Sequence, residues 1–176
     1  GAQNTILGGL AGDALTTGNY NVAIGYQALS TEDAHGANVA IGANALLTLD
    51  AGADGFNIAI GHDAGKLMST GVRNTIMGGL AGDALTTSTN NVLLGYEAGT
   101  NATIGNSNIA VGFQALYANV AGDRNVAVGT GALTFMTSAS TADTYNVAVG
   151  YQAGGAVTSG TNNTIMGGLA ADALTI

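Results

Sequence analysis

The sequence predicts an all-β repeat solenoid in which about ten coils, mostly of 17 residues, stack as one unit over residues 1–176. Three observations predict this fold class. A short motif recurs ten times along the chain. Its spacing is too short for the helix pairs of helical repeat proteins. Glycines and β-branched residues also lie close together within each repeat, which is typical of short strands and tight turns.

Each repeat begins with an asparagine, followed four residues later by a glycine and seven residues later by an alanine. The asparagines are Asn4, Asn21, Asn38, Asn57, Asn74, Asn91, Asn108, Asn125, Asn146 and Asn163. Their spacing is 17 residues, except for one coil of 19 after Asn38 and one of 21 after Asn125. Identical amides stacked at the strand spacing can form a hydrogen-bonded ladder. We therefore interpret the asparagines as structural.

The strand of each coil lies between the asparagine and the glycine. The run Val22-Ala23-Ile24 ends at Gly25, where a corner with positive φ would carry no steric cost. We expect a second extended stretch near Ala28 and Leu29, which gives each coil two short strands and two turns. Stacking at ~4.8 Å per coil then gives a rod of roughly 48 Å.

Both faces of this strand are apolar. Side chains alternate along a strand, so Val22 and Ile24 share one face while Ala23 points to the other. A continuous apolar run indicates burial on both sides. One face can fill the coil interior, and we expect a second copy of the chain to cover the other. The alternative is that alanine tolerates solvent and that Ile6, Ile76 and Ile165 are isolated exposures.

Composition limits the function classes. Only 8% of the residues are charged, with three Lys and Arg in total against eleven Asp and Glu. The chain therefore has no basic surface that could bind a nucleic-acid backbone. No apolar stretch approaches the ~18 residues of a membrane span, and we expect no membrane insertion. The chain has no Cys, which excludes a disulfide framework and a thiolate metal site.

Candidates for chemistry are few. His35 and His62 are the only histidines, and neither has a metal-binding spacing, so we interpret both as solvated loop residues. Asp13, Asp83 and Asp172 share one register, but the 17-residue period does not fit a calcium-binding nonapeptide. We favour solvated turn aspartates over a metal site there. No nucleophile elbow or phosphate-binding loop occurs. We expect no enzyme and no cofactor.

The repeated Asn-Val-Ala-Ile-Gly-x-x-Ala pattern resembles the head repeats of trimeric autotransporter adhesins, the YadA-like family, and similar repeats in bacteriophage tail-fibre proteins. It occurs at Asn21–Ala28, Asn38–Ala45, Asn125–Ala132 and Asn146–Ala153. The resemblance implies a left-handed parallel β-roll, assembled as a homotrimer with an adhesive function. It also implies an extracellular location, on a virion fibre or a bacterial surface. The coils are longer than the family's usual spacing, and no neck motif, stalk or membrane anchor is present, which favours a phage-type fibre.

The near-identity of Asn4–Thr17 and Asn74–Thr87 indicates segmental duplication. No distinct capping segment covers either end, although terminal repeats of a free-standing array normally differ from the rest. We therefore expect the chain to be a piece of a longer fibre.

Two features are candidates for contact with a host-cell glycan or protein. Aromatic residues recur beside the motif glycine and before the motif asparagine, and they either bind a receptor or shield the coil edge. The two lengthened loops, Leu47–Phe56 and Thr134–Tyr145, interrupt the period, as binding insertions in solenoids do. The candidate contact residues are Tyr26, Tyr96, Tyr151, Asp50, Asp54, Phe56, Phe135, Met136 and Tyr145. Phe135 and Met136 either meet a partner or fold back onto the rod.

Three function classes fit such a solenoid. The first is a trimeric fibre segment that displays these loops to a receptor, or that only spaces a distal tip from its anchor. The second is an ice-binding or other surface-binding solenoid, which would need a regular Thr array, yet pairs such as Thr16-Thr17 and Thr86-Thr87 occur only in the Gly-Gly-Leu-Ala coils. The third is a repeat-scaffold enzyme, which would need clustered acids and bases. We expect the first.

Overall fold

A computed structural model describes residues 1–138 and 143–174 and confirms the all-β solenoid. Ten short strands, one per motif, pair in sequence order into a single parallel sheet, and the described residues contain no helix. The strands are β1 (Thr5–Leu7), β2 (Val22–Ile24), β3 (Val39–Ile41), β4 (Ile58–Ile60), β5 (Thr75–Met77), β6 (Val92–Leu94), β7 (Ile109–Val111), β8 (Val126–Val128), β9 (Val147–Val149) and β10 (Thr164–Met166).

The strand register is the same from coil to coil. Val22 lies opposite Val39 and Ala23 opposite Ala40, so like residues form columns along the rod. The longer coils keep this register, because Val39 still pairs with Ile58 and Val126 with Val147. The additional residues are therefore accommodated outside the sheet, in the loops that follow β3 and β8.

The asparagine column forms the expected ladder. The backbone N–H of Asn91 donates to Oδ1 of Asn74 at 3.0 Å, and Nδ2 of Asn91 donates to the Gly105 carbonyl oxygen at 2.9 Å. The backbone bond recurs between every consecutive pair of motif asparagines, at 2.8–3.2 Å. The asparagines thus join each coil to the previous one, and in seven coils the amide also closes its own coil.

The motif glycines form the corner at the end of each strand, as predicted. Gly25 and Gly112 both have a φ of +132°, which side-chain-bearing residues rarely adopt. Space excludes a side chain as well. A Cβ placed on Gly112 would lie 2.6 Å from the carbonyl carbon of Gly129 in the next coil. The corners stack directly on one another, so both the conformation and the packing require glycine.

The expected second strand near Ala28 and Leu29 is wrong. That segment is a run of turns in which alternate residues, Gln27 and Leu29, have φ values of 55° and 52°. Its N–H groups still bond along the rod: Gln27 donates to Gly9 in the preceding coil and Leu29 to Ala45 in the following one, both at 3.0 Å. Alternating left-handed residues curl the chain tightly while keeping contact with both neighbouring coils.

The coil interior is filled by the middle strand residue and by the turn run. Ala110 and Leu116 are buried together in one coil, whereas Ile76 is buried in another coil whose equivalent turn position is Gly82. Two coils have small residues at both positions, Ala59 with Gly65 and Ala148 with Gly154, and there Ile76 and Ile165 of the following coils fill the space. The idea that Ile76 and Ile165 are isolated exposures is wrong, since they are 0% and 7% exposed.

The first and third strand residues form the outer face of the sheet, which is partly exposed in every strand from β2 to β9. Ile58 and Ile109 on this face are 38% and 40% exposed. Of its twenty positions, three are Thr, at Thr5, Thr75 and Thr164, and the rest are apolar. The strand is therefore mostly apolar on both faces, and residues 1–138 and 143–174 bury the inner face but leave the outer face partly exposed.

Candidate functional site

Aromatic side chains form a column directly beyond the corner glycines. Its rings alternate with small residues, apart from one adjacent pair. From the first coil to the last the column reads Gly9, Tyr26, Ala43, His62, Gly79, Tyr96, Phe113, Thr130, Tyr151 and Gly168. The adjacent pair stacks, with the centroids of Tyr96 and Phe113 6.0 Å apart and their planes 5° from parallel. The column is a continuous stripe on one side of the rod.

Two tyrosines of this column cover small residues of the preceding coil. A Cβ built on Gly79 would lie 3.4 Å from Cδ2 of Tyr96, and one on Gly9 would lie 3.7 Å from Cδ2 of Tyr26. Both tyrosines remain about half exposed. The negative charge of Glu97 raises the pKa of Tyr96. The rings therefore shield the coil edge and still expose surface to solvent. Shielding the coil edge does not prevent the same rings from contacting a receptor.

A second group of aromatics lies at the other end of the strands, before the asparagines. Phe56 and Tyr145 are 59% and 48% exposed, and both have a φ of 50°. The Tyr145 hydroxyl donates to Oδ2 of Asp143 at 2.9 Å. The guanidinium of Arg124 lies over the Tyr145 ring, 5.6 Å from its centroid, and forms an ion pair with Asp143. Tyr145 is thus held by Asp143 and Arg124. It lies at the other end of the strands from Tyr151.

The first lengthened loop is tied to the coils on both sides of it. Oδ1 of Asp54 accepts a hydrogen bond from the Gly36 N–H at 3.0 Å, and the Asp50 N–H donates to the Ser69 carbonyl oxygen at 2.7 Å. Both aspartates remain exposed at the surface. These contacts fix the loop against its neighbours on either side, and Phe56 ends it as an exposed ring.

A buried glutamate anchors the same loop. Glu32 is fully buried; its Oε1 accepts from the His35 N–H at 3.0 Å and contacts His35 Nδ1 at 3.2 Å, while its Oε2 accepts from the Ala51 N–H at 3.1 Å. The potential ligand atoms of Glu32, Asp33, His35 and Asp50 lie within 4.8 Å of one another. In the described part of the chain this is the one group with a possible metal-binding arrangement. Because the protein itself uses both oxygens of Glu32, we interpret the group as a structural clamp.

Sequence reasoning missed Glu32. It assigned His35 to a solvated loop, whereas the side chain is partly buried against this carboxylate. The repeat length contained a signal that could have identified Glu32. Glu32 lies 19 residues before Ala51, which is the length of the expanded coil. A carboxylate one coil below an inserted loop is in position to bind the loop's free N–H groups.

The second lengthened loop divides its two large apolar residues. Phe135 is 59% exposed, whereas Met136 is fully buried in the core and its sulfur lies 3.6 Å from Nδ2 of Asn146. The expectation that Met136 takes part in receptor contact is therefore wrong, because the side chain points into the rod. Residues 139–142 of this loop lie outside the described residues.

Phe135 and Tyr151 line one groove. Its volume is about 360 Å³, and its walls come from four successive coils. Phe113, Gln152 and Asp172 also line it. Of the nine candidate contact residues, these two are the pair that the groove brings together. Asp172, which shares its register with Asp13 and Asp83, lies at this groove in the last coil.

Two further aspartates have shifted pKa values. Burial would raise the pKa of Asp63, but hydrogen bonds from Asn44 and Lys66 outweigh it, and the pKa lies below the ordinary value. Burial raises the pKa of Asp83, and the negative charge of Asp63 adds to the shift. Oδ1 of Asp83 is buried and has no hydrogen-bond partner in the described residues. Asp83 is therefore not the freely solvated turn aspartate that the sequence predicts.

Comparisons with known proteins give no relative from which a function could be carried over. No protein-family model, no curated protein and no solved structure matches this chain. In the residues that the structure describes, no helix has the length and apolar character needed to cross a membrane. The functional argument therefore rests on the geometry of the chain itself.

Proposed function

We propose that this chain is a segment of an extracellular adhesive fibre, a phage tail fibre or a bacterial surface adhesin. In this proposal it forms a homotrimeric shaft or head that carries contacts to a host-cell glycan or protein. The observation that carries it is the outer face of the sheet. Ten strands present mostly apolar side chains there, and none of the described residues covers this face completely.

The size of this face supports self-association. Ten strands at ~4.8 Å and three residues per strand make a strip of about 48 by 10 Å, or roughly 480 Å². The largest apolar patches on monomeric proteins are about 300–600 Å² and are often interaction surfaces. A second copy offers a strip of the same length, flatness and residue spacing, so rods aligned along their axes would cover one another's outer faces.

The ladder and the surface composition support a mechanical role. Every coil is joined to the next by the same asparagine hydrogen bonds, which favours a stiff rod of repeating units. The resemblance to YadA-like head repeats supplies the threefold arrangement. The ice-binding alternative needs a regular Thr array, and the outer face has Thr at only three of its twenty positions.

The test is a charged substitution on the outer face. Ile109 lies in β7, near the middle of the rod, and is 40% exposed. We expect the wild-type chain to give about three times 17.1 kDa by light scattering at micromolar concentration. Ile109→Glu should leave the β-sheet circular dichroism signal unchanged but shift the mass to that of one chain, because assembly would bury several carboxylates together.

Asn101→Glu is the matched control, because it adds the same charge at an exposed turn position away from the sheet. It should assemble like the wild type. A wild-type chain that is stably folded as a monomer would refute the proposed assembly. An Ile109→Glu chain that assembles as tightly as the wild type would show that the outer face is not the interface.

A further inference from the structure

The groove beside Phe135 lies where one coil has a small residue in each of two adjacent columns. The aromatic column has Thr130 between Phe113 and Tyr151. The next column has Gly131 where neighbouring coils have Gln114 and Gln152. Phe113 and Tyr151 belong to coils two strand spacings apart, roughly 9.6 Å, which leaves room for one more ring between them.

The floor of the groove is the bare backbone of Gly131, where little space is left for a side chain. A Cβ placed there would lie 3.1 Å from Cγ of Gln152 and 3.1 Å from Oγ1 of Thr134. Thr134 already uses its hydroxyl as a donor to the Gly131 carbonyl oxygen, at 2.6 Å. The Gln152 amide makes no side-chain hydrogen bond with the described residues and lines the groove. The site thus combines a floor of bare backbone with an amide that can still donate and accept.

The groove has the chemistry of a site for an uncharged polyol. Phe113, Phe135 and Tyr151 are about half exposed and provide apolar ring surface. The Gln152 amide and the Asp172 carboxylate provide hydrogen-bonding groups of the kind that match vicinal hydroxyls. None of the lining residues is Lys, Arg or His, so nothing there would neutralise an anion, and the carboxylate would repel one.

We infer that this groove is a binding site for a neutral sugar ring of a surface glycan, held between aromatic rings and oriented by Gln152 and Asp172. The inference rests on the proposed adhesive function and identifies where in the chain that contact lies. The groove is beyond the Gly129 corner, on a different side of the coil from the outer face of the sheet. Assembly through the outer face would leave it open and would repeat it once per chain, so weak sites could act together with a gain in avidity of about 10²–10⁴-fold.

The experiment fills the groove with side chains that the fold accepts at the equivalent positions of other coils. Gly131→Gln introduces the residue found at Gln114 and Gln152, where the backbone has the same left-handed conformation. Thr130→Tyr introduces the residue found at Tyr151 in the same column. The probes are neutral trisaccharides of glucose, galactose, mannose and N-acetylglucosamine, and a sialylated trisaccharide, each titrated to about 10 mM because a single shallow site binds weakly. Binding is followed by amide chemical-shift changes in NMR spectra.

We expect at least one neutral trisaccharide to bind, and both groove variants to weaken it at least about tenfold, which is the effect of losing one good contact. Ala43→Tyr and Asn44→Gln, the equivalent changes in the third coil, are the matched controls and should bind like the wild type. The inference is overturned if no neutral sugar binds, if the groove variants bind as well as the wild type, or if the sialylated probe binds more tightly.

Light scattering on the same samples separates this inference from the proposed function. A chain that assembles but binds none of the sugars retains the fibre proposal and loses the glycan site. A chain that binds a neutral sugar as a monomer retains the site and loses the trimeric fibre.

Discussion

Two coils of this rod fill the same interior in opposite ways. In the coil that begins at Asn108, the strand contributes the small Ala110 and the turn run contributes the bulky Leu116. In the coil that begins at Asn74, the strand contributes Ile76 and the turn run contributes Gly82. The backbone is alike in both, with φ values of 53° at Leu116 and 52° at Gly82. The strand thus supplies more of the interior in the second coil than in the first, although the coil with Ala59 and Gly65 is small at both positions.

Residue size varies in the strand and in the turn run, but not at the corner, where both coils have glycine. Gly112→Val should lower the free energy of unfolding by about 3–5 kcal/mol, since it adds backbone strain to a clash with the backbone of the next coil. Thermal and denaturant melts would measure the loss.

Gly52→Val separates the cost of backbone strain from the cost of the clash with the next coil. Gly52 has a φ of +69°, but a Cβ placed there has nothing within 4 Å. This variant should show only the conformational cost, about 1–3 kcal/mol. Equal losses for Gly112→Val and Gly52→Val would mean that the stacked corner imposes no steric restriction.

The exchange of volume can be tested directly in one coil. Ala110→Leu should cost about 1–3 kcal/mol by overpacking, and Leu116→Gly should cost at least about 2–5 kcal/mol by leaving a cavity. The double variant reproduces the Leu93–Gly99 pair, in which a Cβ placed on Gly99 would lie 3.0 Å from Cδ1 of Leu93, and it should be more stable than the sum of the two losses predicts. Unfolding free energies of all four chains form the cycle that measures this coupling. Strictly additive losses would show that the two positions do not share one space.

The smallest expected effect comes from the carboxylate of Asp83, in the coil that begins at Asn74. The pKa of Asp83 is raised, so this group favours the folded state most when it is protonated, below its ordinary pKa of 3.8, and loses that contribution as the pH rises through the folded pKa. Asp83→Asn should therefore raise the melting temperature slightly at pH 7, and the gain should vanish in acid.

Asp13→Asn, the equivalent change in the first coil, is the control, because Asp13 is exposed. It should leave the melting temperature unchanged at both pH values. A gain for Asp83→Asn that is the same at pH 3 and pH 7 would show that the charge is not its cause.

Period and residue type were enough to predict the coils, the strands, the asparagine ladder and the corner glycines. The run of turns that stands in place of the expected second strand could not be predicted, because Gln27, Leu29 and Leu46 adopt left-handed conformations that those residue types seldom take. Such conformations are imposed by hydrogen bonds to the neighbouring coils, which a local pattern does not contain.

The candidate contact residues were predicted less completely. Phe135 and Met136 are adjacent in the sequence, and only their packing shows that one is exposed and the other buried. The groove was not predicted because it depends on the small size of Thr130 and Gly131. That size forms a groove only beside the larger residues of the neighbouring coils. Glu32 was missed because its partner Ala51 lies on another coil.

The uniform ladder also has a consequence for how the length of such a rod can change. Asn4–Thr17 and Asn74–Thr87 differ only at Leu7 and Met77, and four complete coils separate their first residues. A crossover between these two segments adds or removes four coils, roughly 19 Å of rod, and the new junction joins the same residues in the same register. Because each coil contacts only its neighbours, no interior contact has to be redesigned. Recombination can therefore adjust the reach of the rod in whole-coil steps while its fold stays the same.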